Sequence, residues 1–464
     1  VLATVDSLTK FKNKLAYYLA IFAMVFGSTS GFNVAYAADG QAVGVADSGT
    51  ANASTSNIVQ SDLTLQTNES SSTAFTLAGV FAVDVITFED SDSVAAAIAV
   101  SGTITVDESI TMINQGTGAT TYTFTVAEDK DFTLTGNSTV GTNGNLAFIL
   151  AKGEVSLDGS AAQAIAMKID SDSGDDGVLT MTGAGKKTFS LAIGTTELGS
   201  MSNAAATEAE FNAAVDTKVI TNLGTLQFDA ALGANTITNS GTVAINAATT
   251  NVDADDEAAI VMHTTGSILN LNAGGDVDQD VIITATTDGF GTINIFDATD
   301  DAAGGTTTLA AAALVGVSGT AVGTLNVGKS DGTKGGNLTT VDAGAMFVDN
   351  VNITGGNHVD EDSTLNLLEA ITTEAITLSA TGGADATFQT SGTTVAVTGT
   401  VDSASGTDGA GFTIINADIA TQFASNIGAT VAIEKMDIAA IKVDVDGVTN
   451  AIEATHFSAD GTLE

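Results

Sequence analysis

The segment Asp170-Ser171-Asp172-Ser173-Gly174-Asp175-Asp176-Gly177 sets four carboxylates around a glycine turn. Oxygen ligands spaced in this way suit Ca²⁺, a hard cation that takes carboxylates and carbonyls. Asp170, Asp172, Asp175 and Asp176 are therefore the candidate metal ligands. An EF-hand loop would need a bidentate acid at its twelfth position, and Met181 stands there. The competing reading is a solvated acidic loop. Similar runs occur at Asp253, Asp255, Asp256 and Glu257, at Asp276, Asp278 and Asp280, at Asp297, Asp300 and Asp301, and at Asp360, Glu361 and Asp362. The tandem Gly-Gly-x-Gly-x-Asp array of calcium-binding β-rolls is absent.

Other chemistries find little support. Gly183-Ala184-Gly185-Lys186-Lys187-Thr188 has the look of a phosphate loop, but Thr180 stands where its first glycine belongs. A strand pattern, Phe189-Ser190-Leu191, follows where a helix is required. The segment reads as a glycine-rich turn with Lys186 and Lys187 heads in water. His263, His358 and His456 are isolated, and no Gly-x-Ser-x-Gly elbow exists. Cysteine is missing altogether, which removes thiolate metal sites, cysteine nucleophiles and disulfides. The expectation is a non-enzymatic protein with no catalytic residues and no cofactor beyond Ca²⁺.

The charge balance narrows the partners. The chain has 464 residues, 13 Lys+Arg and 55 Asp+Glu, for a net charge of −42. Every cation is lysine. A nucleic-acid partner needs a basic face, and this balance has the wrong sign. Polysaccharide lyases of the β-helix type face acidic sugars with basic side chains, which are scarce here. The composition is 44% hydrophobic, too apolar for a disordered polyanion.

Before any fold begins, the N-terminus reads as an address. Lys10, Lys12 and Lys14 precede the apolar run Leu15–Phe26, and Ala35-Tyr36-Ala37-Ala38 offers a small-x-small cleavage site. A spanning helix needs about 20 apolar residues, and this run is shorter. Residues 1–37 are expected to be a signal peptide and residues 38–70 a polar N-terminal stretch.

The elements that must position any site are strands. Tyr122-Thr123-Phe124-Thr125-Val126 and Phe132-Thr133-Leu134 alternate, with the apolar parity inward. Phe75, Leu77, Phe81, Val83 and Val85 share one parity. Turns are marked by Gly, Asn, Asp and Ser, never by Pro. Apolar-polar-apolar triplets centred on residues 227, 244, 270, 294, 326, 352 and 366 recur, most of them after Gly-Thr or a close variant. Their separations are 17, 26, 24, 32, 26 and 14. Such recurrence is how stacked coils read. The expected fold is all-β, a parallel β-helix (β-solenoid) over residues 71–415 with few short helices; tandem β-sandwiches are the runner-up. Short helices are expected around Asn203–Asp216 and at Ile419, Phe423 and Ile427. Residues 416–464 are expected to form a C-terminal cap or small module.

Gly-Thr-Ile-Asn-Ile-Phe at 291–296, Gly-Thr-Leu-Asn-Val at 323–327, Leu-Thr-Met-Thr-Gly-Ala-Gly at 179–185 and Ala-Asn-Thr-Ile-Thr-Asn-Ser-Gly-Thr-Val at 234–243 carry a resemblance. Over roughly residues 75–400 the chain resembles the passenger region of bacterial autotransporters, especially rickettsial-type surface antigens. The resemblance implies a right-handed parallel β-helix displayed outside a Gram-negative cell. It implies a secreted structural or adhesive surface protein whose partners are a host or neighbouring cell surface, or further copies of itself. The translocating barrel of that family is not seen in residues 416–464, so contact with the outer membrane would run through a barrel or export partner outside this sequence. Surface-layer proteins share the acidic, Thr/Ala/Gly-rich, cysteine-poor composition. A self-assembling surface-layer subunit bridged by Ca²⁺ is thus one alternative, and a secreted β-helix glycan-active enzyme is another.

Overall fold

The computed structural model describes most of residues 42–459, apart from short intervening segments, and its first 41 residues lie outside the description. The signal-peptide expectation therefore falls outside the described residues. So do Asp175, Asp278, Asp280 and the runs 253–257, 297–301 and 360–361. The chain divides into two compact units, Val1–Gly199 and Ser200–Glu464.

Both units are stacks of coils in which each strand pairs in parallel with its equivalent one coil later. In the first unit, Gly144–Leu150, Glu154–Leu157 and Gln163–Ile165 form three sides of one coil. Lys168–Ser171, Asp176–Met181 and Lys187–Phe189 form the same three sides of the next. The physical reason is the alternation. One coil has a single apolar face per strand and cannot cover it alone. Stacking brings like residues into register and closes a continuous interior. Phe124, Phe148, Ile169 and Ile193 form one such inward column, and Phe132, Val155 and Leu179 another. Phe124 and Phe148 stack at 4.7 Å and 8°, while Phe132 meets them edge-on at 5.5 and 4.8 Å. Burying each ring contributes on the order of 1.5–3 kcal/mol.

The second unit opens on its shortest coils. Phe211, Phe228 and Ile245 are in register at intervals of 17 residues, and Phe211 stacks on Phe228 at 5.1 Å. The triplet centres 227, 244, 270, 294, 326 and 352 are consecutive rungs of one ladder, as their spacing predicts. Residue 366 is not the next rung. Asn352 pairs with Thr377, while Asn366 belongs to a separate nine-stranded sheet, between Asp342 and Gln389. The 14-residue interval measures the path around a coil and not the step between coils. That nine-stranded sheet runs from Thr249–Thr250 to Ala454–Ala459, so strand pairing continues through the region expected to be a cap.

Neither expected helix forms. Asn203–Asp216 contains the end of one strand, the strand Glu208–Phe211 and the start of Val215–Asn222. Ala420–Phe423 is a strand in register with Thr394–Val397. Local helical spacing loses here because Ala209 and Phe211, and likewise Phe423, complete inward columns that stacking has already begun. One parity expectation also breaks. The ladder is irregular between Val83 and Val85, so Ile86, paired with the buried Ile110, enters the core and Val85 does not.

Among the described residues, no helix is long and apolar enough to cross a membrane.

Candidate functional site

Three kinds of polar arrangement stand out on this scaffold: acids at the coil corners, amide columns, and one buried lysine. Each is positioned by the parallel register.

The acidic loop lies where a strand ends at Ser171 and another begins at Asp176. Asp170 is held by the neighbouring coil. Its Oδ1 accepts a hydrogen bond of 2.6 Å from the backbone N–H of Thr195, one coil on. Ser173 Oγ lies 3.0 Å from Asp172 Oδ1 and 2.9 Å from Asp176 Oδ2, bridging those two carboxylates. Asp172 and Ser173 are exposed. Among the described residues, no group of three or more His, Asp or Glu side chains converges as a metal-ligand set.

The link from Asp170 to the next coil recurs elsewhere. Asp288 accepts from Ala321 N–H at 2.8 Å, Asp362 from Asp385 N–H at 2.6 Å, Asp385 from Phe412 N–H at 2.9 Å and Asp402 from Thr430 N–H at 2.9 Å. Thr195 lies within a strand, whereas the other four donors lie outside strands, where a backbone N–H needs an acceptor beyond the ladder. A carboxylate from the preceding coil supplies it with a charge-assisted bond. The pairs Asp362–Asp385 and Asp385–Phe412 are separated by the local coil length, and the other three by one or two residues more, which is the signal in the sequence that could have marked them.

Among the described acids, Asp349 is altered by its surroundings. Its carboxyl is pushed above the ordinary aspartate value, first by burial, then by the nearby charges of Asp288 and Glu374. His263 and His456 are exposed; the His456 ring Nδ1 lies 3.2 Å from the Glu434 carbonyl. His358 is outside the described residues.

Two amide columns run along the second unit. The inner one is fully buried: Asn203 Nδ2 donates to Asn222 Oδ1 and Asn222 Nδ2 to Asn239 Oδ1, each at 2.9 Å. Asn222 Oδ1 also accepts from Gly224 N–H, and Asn239 Oδ1 from Gly241 N–H, both at 3.1 Å. The column ends where Met262 takes the next rung and the Asn239 amide turns to the Ile268 carbonyl. At its other end, Asn203 Oδ1 has no hydrogen-bond partner. The outer column links Asn270, Asn294, Asn326 and Asn352 through amide bonds of 2.8–2.9 Å.

Lys187 departs from the expectation of a head in water. It is fully buried, and its Nζ donates to Gly159 O and Gly185 O at 2.8 Å and to Gly183 O at 3.4 Å. Burial lowers its proton affinity below the ordinary lysine value, and Asp158 works in the opposite sense. The expectation of a head in water fails because the strand Lys187–Phe189 pairs with Gln163–Ile165, which puts Lys187 on the inward parity beside the buried Gln163.

The fold defines a class, the parallel β-solenoid, and the polar arrangements on it serve mainly to join coil to coil. Comparison with protein-family models, with curated proteins and with solved structures gave no match.

Proposed function

We propose that this chain is a secreted, non-enzymatic structural or adhesive protein of a Gram-negative cell surface, similar in kind to an autotransporter passenger. The observation that supports this reading is how the coils vary. Along the ladder from Gln227 to Asn352 the register is kept while successive rungs lie 17, 26, 24, 32 and 26 residues apart. Part of the extra length forms strands of the nine-stranded sheet, such as Gly305–Leu309 and Thr339–Ala343, and part is connecting chain, so the stack keeps its register while the coils vary in length. A stiff body with variable loops is suited to display and contact. The signal-like N-terminus and the acidic, cysteine-free composition are in keeping with export.

The test is display itself. Protease treatment of intact cells producing the chain with its native leader should digest it while cytoplasmic markers survive, and beads coated with the purified chain should bind cells or matrix. Protection in intact cells would overturn the surface reading. Release of small sugars from polysaccharide substrates would favour the glycan-active alternative.

Ca²⁺ at Asp170, Asp172, Asp175 and Asp176 belongs to the surface-layer alternative. Melting and light scattering in Ca²⁺ against NaCl of equal ionic strength separates a bridged lattice, which would scatter and melt higher only in Ca²⁺, from a merely screened acidic surface, which would give identical curves.

A further inference from the structure

The corner around Lys187 is built as a cation site. Three backbone carbonyls, from Gly159, Gly183 and Gly185, turn toward one point, and the ammonium there has three donors to meet them. The glycines make the convergence possible. Gly183 has φ +74°, and a Cβ on it would come within 2.3 Å of the Asp158 carbonyl oxygen. A Cβ on Gly185 would come within 1.8 Å of the Ala161 carbonyl oxygen. Only bare backbone lets these two corners approach so closely. The same corners are tied by Gln163 N–H to Lys186 O at 2.7 Å and Gly185 N–H to Gly159 O at 3.3 Å. The Gln163 side chain accepts from Gly159 N–H at 3.2 Å and donates to Leu134 O at 3.1 Å, which extends the tie one coil further. The charge of Asp158 favours the protonated lysine, against the larger effect of burial.

We propose that this corner is a carbonyl-lined seat for a small monovalent cation, filled from within by the Lys187 ammonium, and that filling it holds successive coils of the first unit in register. The converging oxygens carry the argument. An apolar side chain of the same length would take the charged donor from all three, and Gly159 O and Gly185 O would each lose a bond of 2.8 Å, a loss that is costly inside a protein. Supplying the cation from the chain itself frees this corner from dependence on ions in solution.

The experiment uses the full chain with Lys187→Ala and Lys187→Met. In tetramethylammonium chloride, whose cation is too large for the seat, both variants are expected to melt about 5–10 °C below the parent. Amide exchange should accelerate at Gln163 and Gly185. Replacing the salt by ammonium or potassium chloride at equal ionic strength should return at least half of that loss to Lys187→Ala. It should return none to Lys187→Met, whose side chain blocks the seat, and should leave the parent unchanged. A Met variant as stable and as protected as the parent would overturn the proposal, because filling the space would then suffice. So would an Ala variant that behaves alike in every salt, because water would then be the occupant. Should the Ala variant not fold in tetramethylammonium, its refolding yield is compared between ammonium and tetramethylammonium: a higher yield in ammonium supports the seat, and equal yields overturn it.

Discussion

The two asparagine columns of the second unit use one interaction in two environments. Asn203, Asn222 and Asn239 are fully buried, whereas Asn270, Asn294, Asn326 and Asn352 stand on the partly exposed parity of their strands. The amide-to-amide distances are nearly identical, at 2.8–2.9 Å. Geometry alone therefore cannot rank them. Water can replace a lost partner of the outer amides. For the inner ones it cannot, and the inner amides also serve corner backbone groups, such as Gly224 N–H and the Thr242 carbonyl for Asn222. The same bond is thus a modest addition outside and a requirement inside.

The sharpest test of that contrast is Asn222→Ala. It takes a partner from the Asn239 oxygen, the Asn203 amide and three backbone groups, Gly224 N–H, Gly224 O and Thr242 O, and should cost about 3–4 kcal/mol in urea unfolding. Next is Gly241→Ala, which probes the corner that the inner column serves. A Cβ there would lie 2.0 Å from the Gly224 carbonyl oxygen, backbone against backbone, and the expected loss is about 2–3 kcal/mol by the same measurement. Asn326→Ala removes the equivalent amide from the outer column and should cost only about 0.5–1 kcal/mol. An outer substitution as damaging as Asn222→Ala would break the comparison.

The smallest effect is expected at Asp349, and it has a sign. Its folded-state proton affinity is raised, first by burial and then by Asp288 and Glu374. The stability tied to this group is therefore complete below the ordinary aspartate range, near pH 4, and is lost as pH rises through the raised value. Asp349→Asn should melt slightly higher than the parent at pH 7, with the gap closing on acidification and shrinking in high salt. Melting curves at pH 7 and pH 4 check this, and a gap that widens in acid would refute it.

The ladder from residue 227 to residue 352 was legible because an inward column demands apolar residues on both sides of an outward one, and Gly-Thr precedes many of these triplets. The structure supplies the reason for that glycine: at Gly224 and Gly241 the coils come too close for a Cβ. Asn222-Leu223-Gly224-Thr225 and Asn239-Ser240-Gly241-Thr242 stand 17 residues apart in the sequence, so the inner asparagines were visible as a motif but not as buried. Their burial depends on what the neighbouring coils place beside them. The helices expected at Asn203–Asp216 and around Phe423 failed for the same reason, since spacing within a segment says nothing of the column it must complete. For the acids, counting showed abundance, while their role as acceptors for the following coil needed the register. Lys187 was hardest, because its parity with Phe189 marks an inward position while its charge argues for water, and only the carbonyls that meet it decide between the two.

The uneven coil lengths bear on inheritance. In most folds an insertion or deletion disturbs partners far along the chain. Here the rungs at Asn270 and Asn294 would meet equally well with a longer or shorter excursion between them, and removing residues 271–294 whole would bring Asn270 beneath Asn326 with the amide bond intact in kind. The unit that such a lineage can gain, lose or lengthen is the coil. Descendants would then differ in chain length and loop content while keeping the same rungs, and alignment by position would lose their kinship before the architecture changed.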